Sequence, residues 1–188
     1  MPAHLLAISG SARRDSYNLK LARAMAEGAS AAGATVTLID WADFDLPLFN
    51  EDLEARGIPP AVRAFKAEMR RADGLLIASP ENNGGYSAHI KNAIDWCSRT
   101  LPDDPPGSVF KNKPLAIAGA TTGRLGAVRS IRQLREILGQ LGCVLLPDTV
   151  SISDASKAFD AEGRISDEKP RAAAMAVGAA VARAVAKA

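Results

Sequence analysis

The chain has 188 residues and a formal net charge of +2, enough for one domain with a sizeable core and too nearly neutral for the basic field a polyanion partner needs. Ala and Gly are plentiful and aromatics make up only 5%, which suits helices packed closely on a sheet. Cys97 and Cys143 lie far apart, outside any CxxC or Cys/His cluster, which argues against structural zinc and for two buried thiols in a reducing cytoplasm.

The N-terminus lacks a basic region, and its apolar run Leu5–Ile8 is too short for a signal peptide. That run does not alternate, as expected of a strand buried on both faces. Apolar residues then recur at helical spacing from Leu19 to Ala32 and stop at Gly33. Val36–Asp40 reads as a second strand, Trp41–Pro60 as a loop and Ala61–Arg71 as a helix. Leu75–Ala78 is a third strand, Ser79–Ser87 a polar loop with glycines, and Ala88–Ser98 a helix. The Pro/Gly-rich stretch Leu101–Pro114 reads as an ordinary loop into a fourth strand, Leu115–Ala118. Gly119–Gly126 is a further loop, and Ala127–Leu141 a helix ended by Gly142. Cys143–Leu146 begins a fifth strand, and Arg171–Ala186 closes the chain as a helix. Arg171, Arg183 and Lys187 make this last helix a surface-packed element, not a membrane span.

Strand and helix alternate throughout, which forces parallel neighbours joined by right-handed crossovers, with helices on both faces. The expected architecture is one domain, 1–188, of the α/β flavodoxin-like three-layer kind. Its five-stranded parallel sheet has the order 2-1-3-4-5. In such sheets ligands bind beyond the carboxyl ends of the strands, where strand order reverses. The loops that meet there are Gly10–Asn18, Ser79–Ser87 and Gly119–Gly126, all polar and all containing glycine.

The first loop is the most chemically loaded. It runs from Ser9 through Gly10, Ser11, Arg13, Arg14, Ser16 and Tyr17 to Asn18, where a helix begins. A helix start offers unpaired N–H groups and the positive end of the dipole, so it can hold an anion, and a guanidinium can add a forked contact to phosphate. The same residues also fit a polar loop with Ser16 or Asn18 as N-cap.

Several nucleotide and hydrolase signatures are absent. There is no GxGxxG after the first strand, which leaves Asp40 as a cap and not a ribose-binding acid. There is no GxxxxGK[ST], no cysteine nucleophile in the first loop, no GxSxG and no HExxH. His4 and His89 have no obvious triad partner, and His89 reads as a surface or capping residue at a helix start. A mononucleotide with its phosphate in the first loop and a planar ring against the other two remains, and FMN meets that description.

The motifs then show a family likeness. Gly10-Ser11-x-Arg13-x-x-Ser16-x-Asn18 resembles the phosphate loop of the NADPH-dependent FMN reductase family, which includes flavin, quinone, chromate and azo-dye reductases. Leu46–Asp52, Pro80–Gly84, Lys91–Trp96 and Thr121–Gly126 resemble further motifs of that family, in its order. Three positions depart from the pattern: Asn82 where Tyr is usual, Ser87 where Pro is common, and Ala127 where a second Gly is common.

The resemblance implies that Ser11, Ser16 and Asn18 hydrogen-bond the FMN phosphate, that Arg13 supplies charge, and that Tyr17 lines the pocket edge. It implies that Pro80, Glu81, Asn82, Asn83 and Gly84 pass along the isoalloxazine ring, with backbone N–H groups toward O4 and N5. Thr121, Thr122 and Gly123 would meet the pyrimidine end, and Arg124 would sit near N1 and O2. No side chain is expected to act as a catalyst. FMN accepts hydride from NAD(P)H and passes it to a small-molecule acceptor in a ping-pong scheme. The family commonly forms dimers or tetramers, and a cytoplasmic homodimer or homotetramer without nucleic-acid or membrane partners is expected.

Plainer roles are also open. Glu81 can cap a helix or pair with a cation, Lys91 and Asp95 can form a surface pair worth about 0.3–0.5 kcal/mol, and Trp96 can be a packing anchor. A flavodoxin-type electron carrier and a flavin-free scaffold are the alternatives to a reductase.

Overall fold

Strands β1 (His4–Ser9), β2 (Thr35–Leu38), β3 (Gly74–Ala78) and β4 (Pro114–Ala120) form the body of a parallel sheet in the order β2-β1-β3-β4. These come from a computed structural model that describes residues 2–100, 104 and 109–187. Most of the loop expected from Leu101 to Pro114 lies outside the described residues.

The expected fifth strand is broken in two. β5 (Val144–Leu145) pairs with Pro114 and Leu115, and β6 (Val150–Ile152) pairs with Ala118–Ala120 farther along β4. Pro147 stands in the gap. Val144 and Leu146 donate to the carbonyls of Lys113 and Leu115, and the next carbonyl in that alternation, Ile117, accepts from the Thr149 hydroxyl. The sheet keeps the order β2-β1-β3-β4-β5 with β6 as an additional strand on β4.

Alternate residues of each central strand face opposite layers. Leu5, Ala7, Leu76 and Ala118 pack with α1 (Tyr17–Ala31) and α7 (Glu168–Val185). Leu6, Ile8, Leu75, Ile77 and Ile117 pack with α3 (Pro60–Arg71), α4 (Ala88–Ser98) and α5 (Val128–Gln140). In the first layer the helices cross at glycines. A Cβ at Gly28 of α1 would overlap the Met175 carbonyl, and one at Gly178 of α7 would overlap the Met25 carbonyl. No helix among the described residues is long and apolar enough to cross a membrane.

The segment from Trp41 to Pro60 is more ordered than a loop. Asp40 caps a short 3-10 turn, Trp41–Asp43, by accepting the Ala42 N–H. Asn50 caps α2 (Glu51–Ala55) by accepting from Asp52 and Leu53. A second short helix, α6 (Ala155–Ala158), follows β6. These elements are too short for apolar periodicity to reveal them.

Candidate functional site

The three loops expected to form a site meet at the carboxyl ends of β1, β3 and β4. Together they wall a cavity of about 640 Å³. Ser11, Arg13, Ser16, Tyr17 and Asn18 line it from the first loop, Pro80, Glu81 and Asn82 from the second, and Thr121 and Thr122 from the third. Asn83, Gly84, Gly123 and Arg124 lie in a neighbouring cavity of about 320 Å³ that shares Glu81 and Thr121 with the larger one.

The first loop is held by its own hydroxyls. The Ser11 N–H donates to Ser9 Oγ at 3.2 Å, and Ser9 Oγ donates to the Ser11 carbonyl at 3.1 Å. Ser16 is the N-cap of α1: its Oγ accepts the N–H groups of Asn18 and Leu19 at 3.2 and 3.4 Å. A capping hydroxyl keeps its proton as a donor, so capping and anion binding are compatible. Gly10 passes so close to Ser79 that a Cβ would lie 2.6 Å from its Oγ. Ser87 completes the frame by capping α4 at Ile90 N–H and donating to the Gly10 carbonyl. A proline at 87 could do neither.

Asn18 does not present a free amide to the cavity. Its Nδ2 donates to the Ala120 carbonyl and its Oδ1 accepts the Ala120 N–H, both at 2.9 Å. One Nδ2 proton remains for another acceptor. The guanidinium of Arg13 lies over the Tyr17 ring at 5.1 Å, and Tyr17 stacks on Phe159 at 5.7 Å. Stacking holds the cation at the cavity rim without neutralising it.

In the second loop, Asn82 and Gly85 exchange both backbone hydrogen bonds, at 2.9 and 3.0 Å. Asn83 and Gly84 between them have φ of +52° and +80°, the pattern of a type I′ turn. The Asn-Gly pair is the sequence signal for that turn. The turn consumes the N–H groups of Asn82 and Gly85, and within it those of Asn83 and Gly84 remain for a ring.

Glu81 takes both plainer roles open to it. Its carboxylate accepts from Arg129 Nε and Nη2 at 2.7 and 2.6 Å and from the Arg129 backbone N–H at 3.0 Å, in the first turn of α5. Burial alone would raise the Glu81 carboxyl, but the hydrogen bonds and charge of Arg129 outweigh it and hold it below its usual 4.5. Ala127 just before α5 has φ +66° and no side-chain cap, so the glycine common at this position has a conformational reason that the alanine meets under strain.

The other motif residues brace the site. Asn92 accepts the Phe49 N–H at 2.7 Å and donates to Pro47 O at 3.0 Å, while Trp96 Nε1 donates to the same carbonyl at 2.7 Å. One turn apart on α4, the two fasten the Leu46–Phe49 segment. Trp96 is thus a packing anchor, and Lys91 pairs with Asp95 at 2.6 Å as a half-exposed helix pair.

His89 lines the larger cavity and sits edge-on to Trp41 at 4.2 Å. Its Nε2 is buried without a hydrogen-bond partner among the described residues, and burial lowers its pKa. Trp41 Nε1 in turn donates to the Ser9 carbonyl at 2.7 Å. Sequence reading placed His89 outside the site because a lone histidine at a helix start carries no spacing signal. Arg129 was missed because its partner, Glu81, lies 48 residues away in the chain. Cys97 and Cys143 are buried and unpaired, and burial pushes both thiols up to about 12, which keeps them inert at neutral pH.

A doubly wound parallel sheet with a polar, hydroxyl-lined cavity beyond its carboxyl edge defines a flavodoxin-like nucleotide-binding protein. The family model for NADPH-dependent FMN reductase matches residues 3–157, and the chain belongs to that family. It is 45% identical over 168 residues to an NAD(P)H-dependent FMN reductase of Pseudomonas aeruginosa, covering 89% of this chain and 86% of that protein. It is 37% identical over 174 residues to a 2-hydroxy-1,4-benzoquinone reductase from Burkholderia sp, covering 91% and 90%. Among solved structures it is similar to FerB, a flavoenzyme NAD(P)H:(acceptor) oxidoreductase from Paracoccus denitrificans. That match has a TM-score of 0.80 and 29% identity, and covers 98% of each chain. The protein is therefore an oxidoreductase that uses FMN with NAD(P)H as cosubstrate.

Proposed function

We propose that the chain holds FMN in the larger cavity and reduces quinones, flavins, azo compounds or metal oxyanions at the expense of NAD(P)H. The observation that carries this is the α1 start, where the Ser11 and Ser16 hydroxyls, the stacked Arg13 and the helix dipole converge on one cavity. This donor set fits a phosphate monoester. When bound, FMN supplies two-electron chemistry, taking hydride from the pyridine nucleotide and giving it up to the acceptor in a ping-pong scheme.

The chain's own residues bind and orient. Ser11, Ser16 and Arg13 grip the phosphate, Tyr17 walls its edge, and Asn18 holds the α1 start against β4. Pro80–Gly84 and Thr121–Gly123 flank the ring, with Asn83 and Gly84 supplying N–H groups. No side chain is required as nucleophile or general base. Asn82, with no aromatic ring, leaves one side of the cavity open to the donor and the acceptor in turn. In this reading the chain works as one domain. It assembles as a homodimer or homotetramer through surfaces such as that around the exposed Leu48. It resides in the cytoplasm, in keeping with its two unpaired thiols.

The test is a visible spectrum of the purified protein, followed by anaerobic addition of NADPH or NADH and then a benzoquinone. Bound flavin that bleaches with the nucleotide and recovers with the quinone is the expected result. Colourless protein that fails to take up added FMN overturns the reading, and flavin that ignores both nucleotides makes the protein an electron carrier.

A further inference from the structure

A quinone that takes up a hydride is not yet a hydroquinone. One proton more has to reach its remaining oxygen, so the balanced change is quinone plus hydride plus proton. The cofactor chemistry supplies the hydride, and the proton needs a separate source. Few side chains around the larger cavity can give one up near neutral pH. The hydroxyls of Ser11, Ser16, Thr121 and Thr122 line it, but aliphatic hydroxyls do not ionise in that range. A guanidinium such as that of Arg13 keeps its protons. The Glu81 carboxyl is held low by Arg129 and has no proton to give. Tyr17 is packed against Arg13 and Phe159 at the phosphate end. Histidine is the side chain that ordinarily changes charge between about pH 5 and 8, and His89 lines this cavity. The chain's other histidine, His4, stands at the far end of β1.

His89 is also held as a proton carrier needs to be. It is the second residue of α4, whose start is fixed by the Ser87 cap on the Ile90 N–H. Helix α4 packs on the sheet face opposite α1, so His89 enters the cavity across from the phosphate donors at the α1 start. Its Nε2 is buried without a hydrogen-bond partner among the described residues. The imidazole stands at 87° to the Trp41 ring, 4.2 Å between centroids. An N–H directed at the indole is the bond this contact offers a buried ring nitrogen. Trp41 is itself fixed by its Nε1 bond to the Ser9 carbonyl at 2.7 Å. With Nε2 holding its hydrogen there, Nδ1 is left to take up and release a second proton, and no described residue hydrogen-bonds it. Burial lowers the His89 pKa from 6.5, which makes the protonated ring a stronger acid, while the indole beside it favours the cation.

We propose that His89 is the proton donor to the quinone: its Nδ1–H bond breaks as an O–H bond forms on the acceptor, and Nδ1 then regains a proton from solvent. The two electrons come with the hydride, so His89 is neither oxidised nor reduced. This rests on the reductase reading above and deepens it. It gives a catalytic part to a side chain where the family resemblance implies none, and it still requires no nucleophile.

The test compares two acceptors. FMN-loaded protein is reduced with dithionite and mixed in a stopped-flow instrument with benzoquinone, which takes a proton, or with ferricyanide, which takes electrons alone. Both draw on the same reduced protein, so the ratio of the two rates isolates the proton. In His89→Gln that ratio is expected to fall about tenfold or more. In the wild type it should rise as pH falls through the His89 midpoint, and in the variant it should be flat. The charged groups on the surrounding elements are Arg13, Glu81 and, beside Trp41, Asp40 and Asp43, with Lys91 and Asp95 paired farther along α4; none of these types ordinarily titrates between about pH 5 and 8. An unchanged ratio, or equal slowing with both acceptors, overturns the proposal. A second measurement needs no variant at position 89. Ring-nitrogen NMR of the FMN-loaded protein, with His4→Gln to assign the two histidines, is expected to show His89 as the Nε2–H tautomer with a midpoint below 6.5. An Nδ1–H tautomer overturns the proposal as well. Bleaching by NADPH or NADH reports on the reductase reading separately, since dithionite replaces both nucleotides in this test.

Discussion

Asn18 and Ala120 are joined by two hydrogen bonds of 2.9 Å, although they lie 102 residues apart in the chain. The pair ties the start of α1 to the last residue of β4, so the loop expected to hold phosphate and the loop beside the ring cannot drift apart. Both groups are buried. Asn18→Ala would strand a buried N–H and a buried carbonyl, each at about 1–3 kcal/mol. We expect it to lower stability by about 2–4 kcal/mol in urea denaturation, with flavin loss as a consequence. A variant of wild-type stability would show that water replaces the amide.

Ser11→Ala is the cleaner probe of the phosphate site. Ser11 is only partly buried, and among the described residues its hydroxyl oxygen accepts one hydrogen bond, from the Arg13 N–H at 3.3 Å. Its removal should leave thermal unfolding of the flavin-free protein nearly unchanged while weakening FMN binding about tenfold, the worth of one charge-assisted hydrogen bond. Fluorescence titration of the free protein with FMN measures this, and unchanged affinity would remove Ser11 from the site.

Gly28 and Gly178 set the distance between α1 and α7. Each lies under a carbonyl of the opposite helix, and neither position has room for a methyl group. Gly28→Ala and Gly178→Ala should each destabilise by about 3 kcal/mol or more, because a backbone clash between two packed helices relaxes only by separating them. Gly123→Ala is the control, with nothing within 4 Å of the added carbon. Denaturant midpoints for the three variants decide the matter.

The Glu81–Arg129 pair predicts a pH dependence. The Glu81 carboxyl is held below its usual 4.5, so its contribution to stability is present above the unfolded value and disappears as pH falls through the folded one. Arg129→Ala should lower stability at pH 7 by about 1–2 kcal/mol, a modest figure because the guanidinium is half exposed. The difference between wild type and variant should shrink below about pH 4.5, as Glu81 takes up a proton in both. Thermal melts at pH 7 and pH 3 provide the comparison. A gap that stays constant would mean that the loss comes from packing.

The alternation of apolar runs and helical periodicity by itself determined the parallel sheet, its order and the three loops that meet at its carboxyl edge. These features are legible because strand burial, helix periodicity and glycine stops are written within windows of a few residues. The Ser16 and Asp40 caps were legible for the same reason, since each acts on an N–H two or three residues away. Only the tertiary structure decided what distant side chains do with one another. It gave the Asn18 amide to Ala120, the Glu81 carboxylate to Arg129 across 48 residues, and the Thr149 hydroxyl to the Ile117 carbonyl of β4. It also divided fourteen expected site residues between two adjoining cavities. Hydrogen bonds between residues so far apart leave no periodic trace in the chain; they form because burial makes an unpaired polar group costly.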